Sequence, residues 1–447
     1  MKLSEGIAGE TATTPRAAGI DRRGLLALGG GAALGALFGT PATAAGNDHF
    51  VWKPSAPQAG GFSASGLEGV RAAIQGQIDA GIISGAVSAV ARHNKLVWCE
   101  AQGLADPIAK IPMRKDAIFR MMSSTKHVTA VAVLMMVDEG KIALDDPISR
   151  FIPEFKSMKV AVPVPGTKDP SQVTLVPAER EITVENLLTH TSGLPAVGGF
   201  GKDDVASPGR PQHALTDTLA TWTPKLATLP LEFQPGSKFN YSPLEAHGTA
   251  LRLVEIVSGQ PAEVFMQERI FQPLGMHDTY FNVPARKQNR IVPLVDRVDG
   301  QWAYADALLG RTHMSYIAGG GGLLSTVRDF MLFDLMLLNR GSLNGQRILK
   351  PQTVDLMSRD HVGALFKQWI PPITGHSGFG LSVRIVEDPS KSNGRSKGAY
   401  GWGGAYGTET WVEPERDLVA AFFIQLAKPP FASQIPFETA MQKALVA

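Results

Sequence analysis

Residues 123–139 read Ser-Ser-Thr-Lys-His-Val-Thr-Ala-Val-Ala-Val-Leu-Met-Met-Val-Asp-Glu and are followed by Gly140. The apolar body of this run, from Val128 through Met135, predicts a helix that stops at the glycine. Its opening, Ser123-Ser124-Thr125-Lys126, puts a hydroxyl and an amine three residues apart, on one face. The first turn of a helix presents free N–H groups and the positive end of its dipole, a setting suited to an activated serine. A lysine acts as base only where burial or a neighbouring cation depresses its pKa; otherwise it stays charged and orients a neighbour. Taken alone, Ser-x-x-Lys occurs often by chance and reads more readily as a helix cap followed by a surface lysine.

Working outward, Ser65 precedes a helical pattern carrying Leu67, Val70, Ile74 and Ile78 on one face. Residues 85–91 and 95–101 alternate as strands around the turn His93-Asn94, and residues 408–412 and 418–426 do the same around Pro414-Glu415-Arg416-Asp417. A closing helix is predicted over 437–445. Hairpins pair strands antiparallel, so the expected fold is α+β: one antiparallel sheet built from both chain ends, flanked by helices, with a mostly helical inserted subdomain. The sheet part is expected over about 60–150 and 315–447 and the helical part over about 151–314, all within a single domain from 45 to 447. Further helices are predicted over 183–188, 243–258 and 326–338. Residues 161–177 and 196–211, rich in Pro and Gly, read as long loops of the kind that line binding sites.

Two more stretches can carry chemistry. In Tyr241-Ser242-Pro243-Leu244-Glu245, Ser242, Pro243 and Glu245 read as N-cap, first-turn proline and capping-box glutamate. Tyr241 is then projected just ahead of a helix, where a phenol beside a lysine ammonium is pushed toward phenolate; by itself it also reads as a core tyrosine. In Gly401-Trp402-Gly403-Gly404-Ala405-Tyr406-Gly407-Thr408, glycines on a strand edge let a substrate approach the backbone, and an exposed N–H there can bind an oxyanion.

The order and spacing of the three stretches resemble the serine β-lactamase and penicillin-binding superfamily, most closely class C β-lactamases and family VIII carboxylesterases. The resemblance runs from about Gly66 to the C-terminus. It includes Gly140-Lys141-Ile142-Ala143-Leu144-Asp145-Asp146-Pro147, Leu187-Leu188-Thr189-His190-Thr191-Ser192-Gly193-Leu194, Pro273-Leu274-Gly275-Met276 and Gly321-Gly322-Leu323-Leu324-Ser325-Thr326. It implies Ser123 as acylated nucleophile, Lys126 and Tyr241 as its proton-handling partners, and an oxyanion hole from the N–H groups of Ser123 and Ala405. It implies Trp402, Gly403 and Gly404 as substrate-binding positions and calls for no metal or organic cofactor.

The sequence departs from the lactamase pattern at two of these places. Where lactamases usually carry Lys-Thr-Gly it has Trp402-Gly403-Gly404, an indole for a cation; where they usually end the tyrosine motif in Asn it has Pro243. Both changes point to hydrolysis of neutral esters, with a β-lactamase or D-amino-acid-specific peptidase as the alternative and a non-catalytic binding protein as the remote one. A Ser-His-Asp triad through His190 and Asp146 is disfavoured, because both lie in segments that recur across the superfamily. Gly375-His376-Ser377-Gly378-Phe379 misses the Gly-x-Ser-x-Gly elbow by its last residue and precedes a strand. Gly319–Gly322 lack the Lys-Ser/Thr of a phosphate loop and are expected to permit close packing instead.

With 43 Lys and Arg against 41 Asp and Glu in 447 residues, no field favours nucleic acid. The single cysteine, Cys99, has no partner for a disulfide and reads as core. Arg22-Arg23, the Gly/Ala/Leu-rich run to Phe38 and Pro41-Ala42-Thr43-Ala44 read as a signal peptide of twin-arginine type spanning 1–44. The expectation is a periplasmic or secreted enzyme, exported by the twin-arginine machinery, without stable membrane insertion after signal removal. Its expected partner is a small-molecule ester or lactam.

Overall fold

The strands assigned to the two chain ends meet in one sheet. The computed structural model describes residues 49–167, 172–195, 216–307, 309–310 and 313–446; the signal segment at 1–44 and the loop at 196–211 lie outside the described residues. In chain order, helix α1 (Ala64–Asp79) leads into the hairpin β1 (Gly85–Arg92) and β2 (Lys95–Asp106), followed by the short β3 (Ile111–Pro112). His93 and Asn94 both take positive φ, +52° and +53°, which is the backbone of a tight two-residue hairpin turn. Helix α2 (Thr125–Asp138) comes next, then the hairpin β4 (Lys159–Pro163) and β5 (Val173–Pro177), helix α3 (Glu245–Ser258) and helix α4 (Val327–Leu338). The chain returns to the sheet with β6 (Ser377–Phe379), β7 (Arg384–Val386), β8 (Tyr400–Gly403), β9 (Thr408–Glu413) and β10 (Leu418–Phe423), and closes with α5 (Ile435–Ala444).

The eight-stranded order is β6-β7-β8-β9-β10-β1-β2-β3, antiparallel throughout. The two chain ends join where β1 pairs with β10, Val87 opposite Phe423 and Ala91 opposite Val419. Alternation along the strands sorts the core into two layers. Val90, Trp98, Trp411, Ala420 and Phe422 pack against Leu67, Val70 and Ile74 of α1 and Phe437 and Met441 of α5. Val87, Ala89, Val412, Val419, Ala421 and Phe423 face the opposite way, toward α2 and α4. Residues 125–136 are buried without exception, so α2 is a central helix, clothed on every side. Each fully buried Val, Leu or Phe contributes roughly 1.5–3 kcal/mol.

Several local expectations shift. Ser63, rather than Ser65, caps α1, its hydroxyl accepting from the Gly66 N–H at 3.0 Å. Ser123 lies in a 3-10 turn (Met122–Ser124) ahead of α2, not in its first α-turn. Helix α3 starts at Glu245, with Leu244 at the N-cap and no side-chain cap, so Pro243 is not its first residue; Ser242 keeps a structural role by accepting from the Ala246 N–H at 3.3 Å. The described parts of 161–177 belong largely to the β4–β5 hairpin, so that segment is not the plain loop its Pro and Gly content suggested. The strand that follows Phe379 is only Arg384–Val386, and Ser377 is buried in β6 ahead of it, which rules out a nucleophile elbow there. Cys99 is buried and its thiol pushed up to about 11 by that burial, as befits a core residue. Among the described residues no helix is long and apolar enough to cross a membrane.

Candidate active site

Helix α2 delivers the Ser-x-x-Lys pair to the junction of the sheet and the helical region. Met122, immediately before Ser123, holds φ at +47°, a conformation costly for a side-chain-bearing residue and common at functional turns. The turn is pinned from behind: the Ser124 N–H donates to the Met121 carbonyl at 3.0 Å, and Thr408 Oγ1 donates to the same carbonyl at 3.1 Å. Ser123 itself is partly exposed on a cavity of about 440 Å³ that Tyr241, Trp402, Gly403, Gly404 and Ala405 also line. A Cβ on Gly404 would stand 2.2 Å from the Met121 carbonyl and 2.3 Å from Thr408 Oγ1. Only glycine lets the edge of β8 approach the Ser123 turn this closely.

Lys126 is buried, and its Nζ touches three oxygens: the carbonyls of Pro243 and Gly320, each at 2.6 Å, and Ser123 Oγ at 3.2 Å. Burial alone drives its pKa well below the ordinary lysine value. A neutral amine has two N–H bonds and one lone pair. Were its two N–H bonds given to the carbonyls, such an amine would turn its lone pair to Ser123, the arrangement a base requires. The glycine run 319–322 makes this possible, because a Cβ on Gly320 would lie 2.6 Å from the Pro243 carbonyl that Lys126 uses.

The Tyr241 phenol is hydrogen-bonded to the Ser123 hydroxyl and accepts the Trp402 indole N–H at 3.1 Å. Burial pushes its pKa up to about 12, with both hydrogen bonds working in the other direction. Burial thus lowers the Lys126 pKa and raises that of Tyr241, and both directions run against a phenolate beside an ammonium. Lys126 Nζ lies 4.9 Å from the centre of the Tyr241 ring.

Three features of the site escaped the sequence. Trp402 is no mere apolar wall, since its N–H is committed to Tyr241. An aromatic cluster of Phe239, Phe366, Trp369 and Phe379 packs around Tyr241 and Trp402, with Tyr241–Trp369 and Phe379–Trp402 centroids 5.8 and 5.4 Å apart. His190 lies under the Tyr241 ring at 4.5 Å and accepts the Ser242 N–H on Nδ1 at 3.2 Å. Burial, then the Lys126 charge, hold its pKa well below the ordinary histidine value. Asp146 instead accepts from the Ala143 N–H and from Arg150, leaving no triad with His190. Aromatic residues scattered over 239–402 carry no periodicity that could have announced their convergence. Among the described residues no cluster of ligating side chains could hold a metal ion.

A sheet assembled from both chain ends, with a Ser-x-x-Lys helix and a tyrosine converging on one strand edge, defines a serine hydrolase of the β-lactamase and transpeptidase type. The Beta-lactamase family profile matches residues 70–441, and the chain belongs to that family. It is 37% identical over 370 residues to Protein Rv1367c of Mycobacterium tuberculosis, covering 80% of this chain and 90% of that protein. It is 32% identical over 357 residues to Esterase EstB of Burkholderia gladioli, covering 74% and 82%. Among solved structures it resembles Simvastatin Synthase (LovD) from Aspergillus terreus, with a TM-score of 0.71 and 25% identity over 85% of this chain and 98% of that one.

Proposed function

We propose that this hydrolase is a carboxylesterase that turns over small esters through an acyl-enzyme on Ser123. The observation that carries the reading is the buried Lys126, whose Nζ lies 3.2 Å from Ser123 Oγ and 2.6 Å from each of two carbonyls able to take its N–H bonds. In acylation Ser123 Oγ attacks the ester carbonyl and passes its proton to Lys126 Nζ. The N–H groups of Ser123 and Ala405 hold the oxyanion, and Tyr241 gives its proton to the departing alkoxide. The resulting phenolate keeps the Trp402 N–H as donor. In deacylation water attacks the acyl carbon and its proton goes to Tyr241, while Lys126 returns its proton to Ser123 Oγ. All protons are then restored.

Three things support an ester over a lactam: the likeness to Esterase EstB, the engagement of Trp402 with Tyr241 where lactamases usually place a lysine, and Pro243 where an amide is usual. The second reading, a β-lactamase or D-amino-acid-specific peptidase, uses the same nucleophile. Side-by-side turnover of short-chain p-nitrophenyl esters and a chromogenic cephalosporin, with Ser123→Ala as control, separates the two. Ester turnover exceeding lactam turnover by orders of magnitude is expected; comparable or reversed rates would replace the esterase reading with the second. We further propose twin-arginine export to the periplasm or medium. Changing Arg22 and Arg23 to Lys is expected to retain the enzyme in the cytoplasm, and unaltered export would remove that proposal.

A further inference from the structure

The cavity at Ser123 does not end on the catalytic face of the sheet. Trp402 pairs with Thr410, on the face that holds Tyr241, whereas Arg384, Gly401 and Trp411 share one cross-strand row on the opposite face. Gly401 and Gly403 leave that opposite face of β8 without side chains, and β7 stops pairing with β8 at Arg384–Gly401. The cavity therefore passes over the free edge at Gly403 and Gly404 and reaches Arg384 and Glu409 behind it.

Arg384 is the unusual group in this extension. Its neighbour Arg395 lies 4.1 Å over the Trp411 ring and is held by both Glu409, at 3.0 Å, and Glu438. Arg395 is thus the cation in contact with both carboxylates, which act on Arg384 only through space. Among the described residues Arg384 has no hydrogen bond or ion pair within contact distance; it is partly exposed and lines both the catalytic cavity and the cleft beside it. Its planar fork matches a carboxylate in two parallel hydrogen bonds.

We propose that Arg384 is a substrate-binding residue that receives a carboxylate carried by the ester, reached across the Gly403–Gly404 edge from Ser123. This rests on the esterase reading above and revises one consequence of it: losing the usual lysine to Trp402 does not leave the cavity without a cation. The preferred substrates are then monoanionic esters.

The test compares kcat/KM for matched pairs on wild type, Arg384→Gln and Arg384→Lys. One pair carries the charge on the acyl side, 4-nitrophenyl hemiglutarate against 4-nitrophenyl valerate. The other carries it on the alcohol side, 3-carboxyphenyl against phenyl butyrate. The charged-to-neutral ratio is expected to fall about 10- to 100-fold in Arg384→Gln for one pair, identifying the side that faces Arg384, and to recover in part in Arg384→Lys. Both esters are read on the same preparation, so a loss of folded protein cancels in the ratio. Unchanged ratios for both pairs would overturn the proposal. Should wild type turn over none of the four esters, the esterase reading fails separately. Glutarate binding to the Ser123→Ala protein, measured by calorimetry with and without Arg384→Gln, then decides: binding lost with the arginine upholds the site, and binding equal or absent in both rejects it.

Discussion

Replacing Trp402 with Phe isolates one hydrogen bond. The indole N–H donates to Tyr241 at 3.1 Å, while the ring packs 5.6 Å from Tyr241 and 5.4 Å from Phe379. Phenylalanine keeps an aromatic face in the cluster and removes only the donor and part of the volume. Because the site is half-exposed, the packing loss is about 1 kcal/mol of stability. The catalytic loss is larger. In the proposed mechanism Tyr241 carries charge only after it has protonated the leaving group. A donor to a charged oxygen contributes about 1.5–3 kcal/mol, so kcat should fall roughly 10- to 150-fold. Since the bond strengthens after binding, KM should move little. Steady-state kinetics on a short-chain ester over a range of substrate concentrations reads both constants. A raised KM with unchanged kcat would refute the reasoning, and would reduce the indole to a wall of the substrate cavity.

The pH dependence of kcat/KM should show an acid limb belonging to Lys126: activity falls as pH falls and the amine takes up a proton, at a midpoint well below the ordinary lysine value. A rate still climbing steeply above about pH 9 would contradict that. Gly404→Ala would drive a methyl group into the Met121 carbonyl and Thr408. It should cost about 1–3 kcal/mol of stability and about 100-fold in kcat; near-wild-type values for both would mean that the turn tolerates displacement. Asp334 is buried against His127 at 3.8 Å, and burial pushes its carboxyl up to about 7. A raised acid contributes stability below its unfolded pKa and loses it as pH rises toward 7, so Asp334→Asn should raise the thermal midpoint more at pH 8 than at pH 5. Equal shifts at both pH values would disprove the assignment.

Much of this molecule was legible in its chain. The strand pairs at 85–101 and 408–423 and the helix after Ser123 are local, set by alternation, turn residues and apolar runs that short-range sterics and burial enforce. Ser123, Lys126 and Tyr241 stood out because their neighbours are patterned: an apolar helix body, a capping-like run, a glycine-rich edge. Helix starts slipped by two residues at Ser63 and Glu245, because caps are chosen by contacts that neighbouring segments supply.

What the sequence determined by itself was the alternation that forms the sheet and the spacing that joins a hydroxyl to an amine. Which state those groups occupy was decided only in three dimensions. The carbonyls of Pro243 and Gly320 that orient Lys126 come from segments 117 and 194 residues away, and the indole that holds Tyr241 from one 161 residues away. Burial, and with it the lowered pKa of the amine and the raised pKa of the phenol, is a property of the assembled interior. Charge is stabilised or excluded by everything packed around it, and no local pattern carries that information.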